Sequence, residues 1–245
     1  MKVYIHAELL KLRRTFTARL VWLAPLLTLL LCAGLMAGSF FQSASYNWWY
    51  TMILPGAISL MGIGIIQKDR KKLNYRAILG FPTSLSKVWL GKIGAVSLLL
   101  LASSLLLLAG ITLSAFVFPF PAALSLKDSL TAASLLVLTF LWQIPLCMFL
   151  FMRLGMYGAL LLNLLGNVIA TVALATTELW WVIPYAIPAR LMCPVINTLP
   201  NGLPVPAGDP LLEQGVLLPG VLIALGWFLL LSLLTMQAFK RQEAR

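Results

Sequence analysis

Few residues in this 245-residue chain carry side chains that do chemistry, and their spacing gives them little to work with. The single histidine, His6, has no second histidine or carboxylate at metal-ligand spacing and reads as a solvated or headgroup-facing side chain. Cys32 and Cys147 sit inside apolar runs and Cys193 stands alone in a loop, so neither a disulfide framework nor a metal site is expected. There is no paired membrane carboxylate, no Gly-x-Ser-x-Gly elbow and no Cys/His arrangement, which argues against an enzyme. No Gly-x-x-x-x-Gly-Lys-[Ser/Thr] loop occurs, so work driven by a nucleotide would need a partner that binds it.

The polar residues that remain fall into a stripe. Asn163, Asn167, Thr171 and Glu178 lie within about 80° of one another at 100° per residue, in an otherwise apolar run. Such a stripe must face protein or water. It serves either as interhelical hydrogen bonding or as the lining of a substrate path, and Gln143 with Pro145 carries the same two readings. Ion-coupled transporters place ionisable groups inside the bilayer, but here only Glu178 and Arg153 approach it, each near one end of a run. Gly34-x-x-x-Gly38 suggests close helix packing, whereas Pro55-Gly56, Gly62 and Gly64 suggest a bent helix.

The elements that must position these residues follow from composition. The chain is 61% hydrophobic and 10% charged, too apolar for a soluble globule, whose surface needs polar cover. A helix needs about 20 residues to cross a hydrocarbon core of about 30 Å. Six runs qualify: Leu20–Phe41, Trp48–Ile66, Val88–Phe118, Ser129–Phe151, Tyr157–Ile183 and Val216–Phe239. The expected fold is therefore an all-α membrane protein with six transmembrane helices. The first run is too long for a signal-peptide core and lacks a cleavage site, so it reads as a retained span.

Orientation follows from the basic residues. Sixteen of the 18 Lys and Arg fall on one side of this topology, leaving Lys127 and Arg190 on the other, with net charges of +13 and −2. Positive residues are retained inside, so both termini are expected in the cytoplasm. Aromatic residues fit the outer interface: Tyr46, Trp48, Trp49 and Tyr50 by the first loop, and Trp180, Trp181 and Tyr185 after the fifth span.

Three segments lie outside the spans. In residues 1–19, Ile5, Leu9, Leu12 and Phe16 form one narrow stripe opposite Lys11 and Arg14, which suggests an interfacial amphipathic helix. Between spans grouped as 20–66 and 88–183, residues 67–87 form a basic cytoplasmic hairpin with a short helix stopped by Gly80 and Pro82. Residues 184–215 contain seven prolines with Leu191, Met192, Val195, Ile196 and Leu199 between them. This reads as a stiff, partly buried extracellular cap turning at Asn201-Gly202, before the last span and tail at 216–245.

This pattern, with its Glu8-Leu-Leu-Lys-Leu-Arg-Arg-Thr15 start, resembles the type-2 superfamily of ABC transporter permeases. The resemblance implies that the start is an elbow-like interfacial helix. It also implies that the hairpin helix, Gln67 to Gly80, is a coupling helix docking on a separate ATPase. Phe81-Pro82-Thr83-Ser84 and Trp89-Leu-Gly-Lys92 continue the match, and Gln67 and Asp69 stand where the family has acidic residues. Leu73, Tyr75, Arg76, Ala77 and Ile78 would be the coupling residues. Within the superfamily, Ile187-Pro-Ala-Arg-Leu-Met-Cys-Pro194 and Leu199-Pro-Asn-Gly202 look like the lantibiotic-immunity permeases. That implies a bacterial membrane complex in which a partner ATPase subunit binds ATP and Mg, alongside a second permease subunit, identical or homologous. The substrate would be a lantibiotic or similar peptide expelled from the membrane, meeting a path that includes Asn163, Asn167, Thr171, Glu178, Trp181 and Asp209. The rival expectation is a non-transporting membrane scaffold or sensor subunit of a signalling complex. No nucleic-acid partner is expected.

Overall fold

The computed structural model describes residues 1–35, 38, 40–71, 84–117 and 124–241, which are predominantly helical and contain no strand. In chain order the helices are α1 (Lys2–Leu12), α2 (Phe16–Leu35), α3 (Phe41–Trp48), a π-helical turn (Trp49–Ile53) and α4 (Leu54–Lys71). They continue with α5 (Leu85–Val117), α6 (Leu126–Phe140), α7 (Gln143–Ala173), α8 (Ile187–Ile196) and α9 (Leu217–Lys240). Leu73, Tyr75, Arg76, Ala77 and Ile78 lie outside the described residues, as do the expected stops at Gly80 and Pro82.

Among the described residues, five helical stretches are long and apolar enough to cross a membrane: Phe16–Leu35, Phe41–Asp69, Leu85–Phe116, Leu126–Ala173 and Gln214–Lys240. The chain is thus a multi-pass membrane protein. The Phe41–Asp69 stretch is central, with 67% of its apolar window buried, whereas Gln214–Lys240 is peripheral at 17%. Exposed leucines such as Leu113, Leu161 and Leu229 present surfaces that lipid, not water, solvates well.

The fourth stretch is 48 residues long and folds back on itself. Gln143 donates to Asn167 Oδ1 at 3.1 Å and accepts from Asn163 at 3.0 Å. In a straight helix, residues 24 apart would be separated by about 36 Å. The reversal is at Gly155, midway between Gln143 and Asn167, whose φ of 76° is open to glycine and strained for other residues. Residues 143–154 continue the line of α6 after a short break at Leu141 and Trp142, and residues 156–173 return beside them. α6 is opened by Ser125, whose hydroxyl accepts from the Asp128 amide at 3.1 Å.

Several expectations are corrected. The helix over 1–19 is two helices: Arg14 has a φ of 64°, and Thr15 caps a new start by accepting from the Ala18 amide at 3.4 Å. Phe16 therefore leaves the stripe and is exposed, while Leu12 is buried. Gly34 and Gly38 make no close packing contact, since a Cβ at either would meet nothing within 4 Å. Tyr46, Trp49 and Tyr50 are wholly buried in the core rather than lying at an interface, and Tyr46 donates to the Ser129 carbonyl at 2.9 Å. The helix of the fifth run ends at Ala173, so Glu178 falls among turns and drops out of the polar stripe. No proline or glycine marks that end, Pro184 being the first breaker beyond it.

Candidate functional site

Two buried polar clusters stand out, one at the foot of the bundle and one along its middle. At the foot, Lys92 near the start of α5 is fully buried. Its ammonium reaches Glu8 Oε2 of α1 at 2.8 Å and also pairs with Asp69 Oδ2 near the end of α4. Lys11 binds the other two oxygens, Glu8 Oε1 at 2.7 Å and Asp69 Oδ1 at 3.3 Å. The result is a ring of alternating charge in which each carboxylate gives one oxygen to each lysine. It is formally neutral, and this makes burial of Glu8, Asp69 and Lys92 tolerable, with Lys11 partly exposed at its edge. Burial alone would lower the Lys11 pKa, but the hydrogen bond and charge of Glu8, together with those of Asp69, outweigh it and hold the pKa above 10.5. Lys68 also donates to the Lys11 carbonyl, one of the acceptors left open where α1 ends.

The neighbouring residues complete this foot. Gly91 lets α1 approach closely, because a Cβ there would lie 2.8 Å from Tyr4 Cβ and 3.2 Å from the Tyr4 backbone. Trp89 donates to Thr235 Oγ1 at 3.0 Å and stacks on Phe239 with centroids 4.8 Å apart, joining α5 to α9. The Trp89-Leu-Gly-Lys92 segment thus holds α9, α1 and α4 around the base of α5. The two feet that flank residues 72–83 are fastened to the same helix, α1.

The second cluster is a neutral seam. Leu54 N bonds Trp49 O in the π register, so the next amide, that of residue 55, would serve Tyr50 O in that register or Thr51 O in the α register. Pro55 has no amide to give. Asn167 supplies what is missing, donating to Tyr50 O at 3.0 Å and to Thr51 O at 2.9 Å. Asn163 donates to Pro55 O, Ser59 Oγ and Gln143 Oε1 at 3.2, 3.0 and 3.0 Å, and accepts from the Tyr185 hydroxyl at 3.0 Å. Asn163, Asn167 and Gln143 are fully buried and bonded to one another or to α4. The bend expected at Pro55-Gly56 is therefore a π turn whose open carbonyls are closed by the returning arm of α7.

At the far end lies the proline-rich segment. Every residue of α8 is buried. Arg190 is held there by donating to the Leu211 carbonyl at 2.9 Å, with its guanidinium 5.8 Å from the Trp180 ring. Asp209 caps the following turn by accepting from the Leu211 amide at 2.8 Å. Asn47 donates to the Pro200 carbonyl at 3.1 Å and so ties α3 to the turn at Leu199–Gly202, where Gly202 N bonds Leu199 O at 2.8 Å. Burial pushes the Cys193 thiol up to about 11, the opposite of a reactive nucleophile.

The structure brings Asn163 and Asn167 together and buries Thr171 on the same arm, whereas Glu178 and Trp181 are exposed and Asp209 is half-buried on the segment after α8. The functional residues missed in sequence are Lys92, Glu8 and Asp69 as one unit. A signal existed: Lys92 falls inside an expected span with no acid in that span, and few acids share its side of the topology. His6 joins no metal site, and no group of three potential ligands occurs among the described residues. No family profile, characterised protein or solved structure matches the chain.

Proposed function

We propose that the chain is the membrane-spanning permease subunit of an ATP-driven ABC exporter, with six crossings and both termini in the cytoplasm. The observation that carries this reading is the charged foot. A basic segment between α4 and α5 has both of its bases bolted to an interfacial helix, an arrangement suited to receiving a push from a soluble partner. Six crossings are supported by the reversal at Gly155, since 126–154 and 156–173 span about 43 and 27 Å as helices. ATP and Mg would be bound by a partner ATPase, and Leu73, Tyr75, Arg76, Ala77 and Ile78 would meet it. A second permease subunit completes the complex. The expelled substrate is a lantibiotic-like cationic peptide taken from the bacterial membrane, for which Glu178 and Trp181 offer an exposed acidic and aromatic surface.

A second reading, a non-transporting scaffold or sensor, draws support from the seam. Asn163 and Asn167 spend their amides on α4, the π-helical turn before it and Gln143, and both are fully buried. One experiment separates the two. The chain is reconstituted with a candidate ABC ATPase, and ATP hydrolysis and peptide efflux are compared with those of Leu73→Asp and Ile78→Asp variants. A permease requires hydrolysis only with the partner and loss of efflux in the variants. Unchanged efflux in both variants, or hydrolysis by the isolated chain, contradicts it.

A further inference from the structure

We propose that the groove between α1 and α5 binds one anionic phospholipid, with its phosphate at Lys2 and His6 and an acyl chain along Val3, Ile5, Leu9 and Leu98. The groove has a volume of about 560 Å³ and is lined by these six residues. Lys2 and His6 are four residues apart and so share one face of α1, both exposed and neither hydrogen-bonded nor ion-paired among the described residues. The only carboxylate on α1, Glu8, is occupied by Lys11 and Lys92 and cannot neutralise this rim. The rim is therefore cationic and the floor apolar, a combination that matches a phospholipid rather than a soluble anion, which would leave the floor facing water.

The level of the groove fits the same ligand. α5 has 33 residues, about 50 Å of helix, against a hydrocarbon core of about 30 Å. A core of about 20 residues leaves about 13 of α5 outside it, and Lys87 and Lys92 mark the start of the helix as that outer part, which puts the groove, where α1 is seated at Gly91 and Gly94, at headgroup depth. The groove is also preformed. α1 is seated on α5 by the contacts of Tyr4 at Gly91 and Ile5 at Gly94, and it is held by the ring at Glu8. Little ordering is left for the lipid to impose on binding. This inference does not depend on the transport reading.

The test is native mass spectrometry of the full chain in neutral detergent, after addition of phosphatidylglycerol, phosphatidylcholine or inorganic phosphate. The expected result is preferential retention of phosphatidylglycerol, undisturbed by excess phosphate. The affinity should fall about fivefold for Lys2→Gln and by a smaller factor for His6→Gln. Leu98→Trp, which fills the floor without changing charge, should also weaken retention, and Lys127→Gln at the distant start of α6 should not. If either Lys2→Gln or His6→Gln loses stability, Leu98→Trp decides. Equal retention of the two lipids, displacement by inorganic phosphate, or full retention in Leu98→Trp overturns the proposal.

Discussion

The charged foot and the neutral seam are both buried and both hydrogen-bonded, yet they are built from different groups and sit at different depths. The foot uses four ions and lies where α1 and α4 end and α5 begins. The seam uses amides, hydroxyls and backbone carbonyls and lies between the middle of α7 and the start of α4. Charge is costly at the centre of a bilayer and cheaper near its edge, where water and headgroups are close. The seam repairs a defect in one helix, the amide missing at Pro55, whereas the foot joins three helices that have no backbone reason to meet. Polar residues within an apolar chain are therefore best read by asking which groups they complete.

This contrast orders the expected effects of mutation. Lys92→Ala leaves two buried carboxylates with only half-exposed Lys11 between them, and should cost about 3–5 kcal/mol in unfolding from micelles. Replacing Glu8, Asp69 and Lys92 together by Leu, Leu and Met should recover most of that loss, because no buried ion is then left unpaired. If the triple variant is as unstable as the single one, packing rather than charge dominates the foot.

The seam should give smaller losses. Asn167→Leu opens Tyr50 O and Thr51 O and should cost about 1–3 kcal/mol by the same measurement. Adding Pro55→Ala returns an amide to α4 and should restore part of the loss, which would be unexpected if Asn167 served only a substrate path. The smallest effect is that of Lys11, whose partly exposed pairs are worth less than about 1 kcal/mol. Its pKa is raised in the fold, so the contribution is complete below pH 10.5 and disappears as pH rises through the higher folded value. Melting curves of the parent and Lys11→Met should differ at pH 8 and converge in strong alkali.

Much of this architecture was legible in the sequence. The apolar runs match the helices closely around α5 and α9, because length and hydropathy alone define such helices in lipid. The stripe residues Asn163 and Asn167 were legible as buried polar groups, and their partners were not. Tyr50 O and Thr51 O become acceptors only through the register change before Pro55, which hydropathy does not record. Arg14 at positive φ and the end of α7 at Ala173 carry no strong breaker, so both helix boundaries were misplaced. The aromatics Tyr46, Trp49 and Tyr50 were misread because a polar tip suits either an interface or a buried carbonyl, and tertiary packing chose the core.

Buried charge, rather than apolar contact alone, fastens α1 to the feet of α4 and α5. A double-mutant cycle on Glu8→Gln and Lys92→Gln, read by unfolding of the full chain in micelles, tests this directly. The single losses should not add, and the coupling between them should be about 1 kcal/mol or more. Losses that add to within about 0.5 kcal/mol would contradict the claim and leave the ring without a role in holding the foot together.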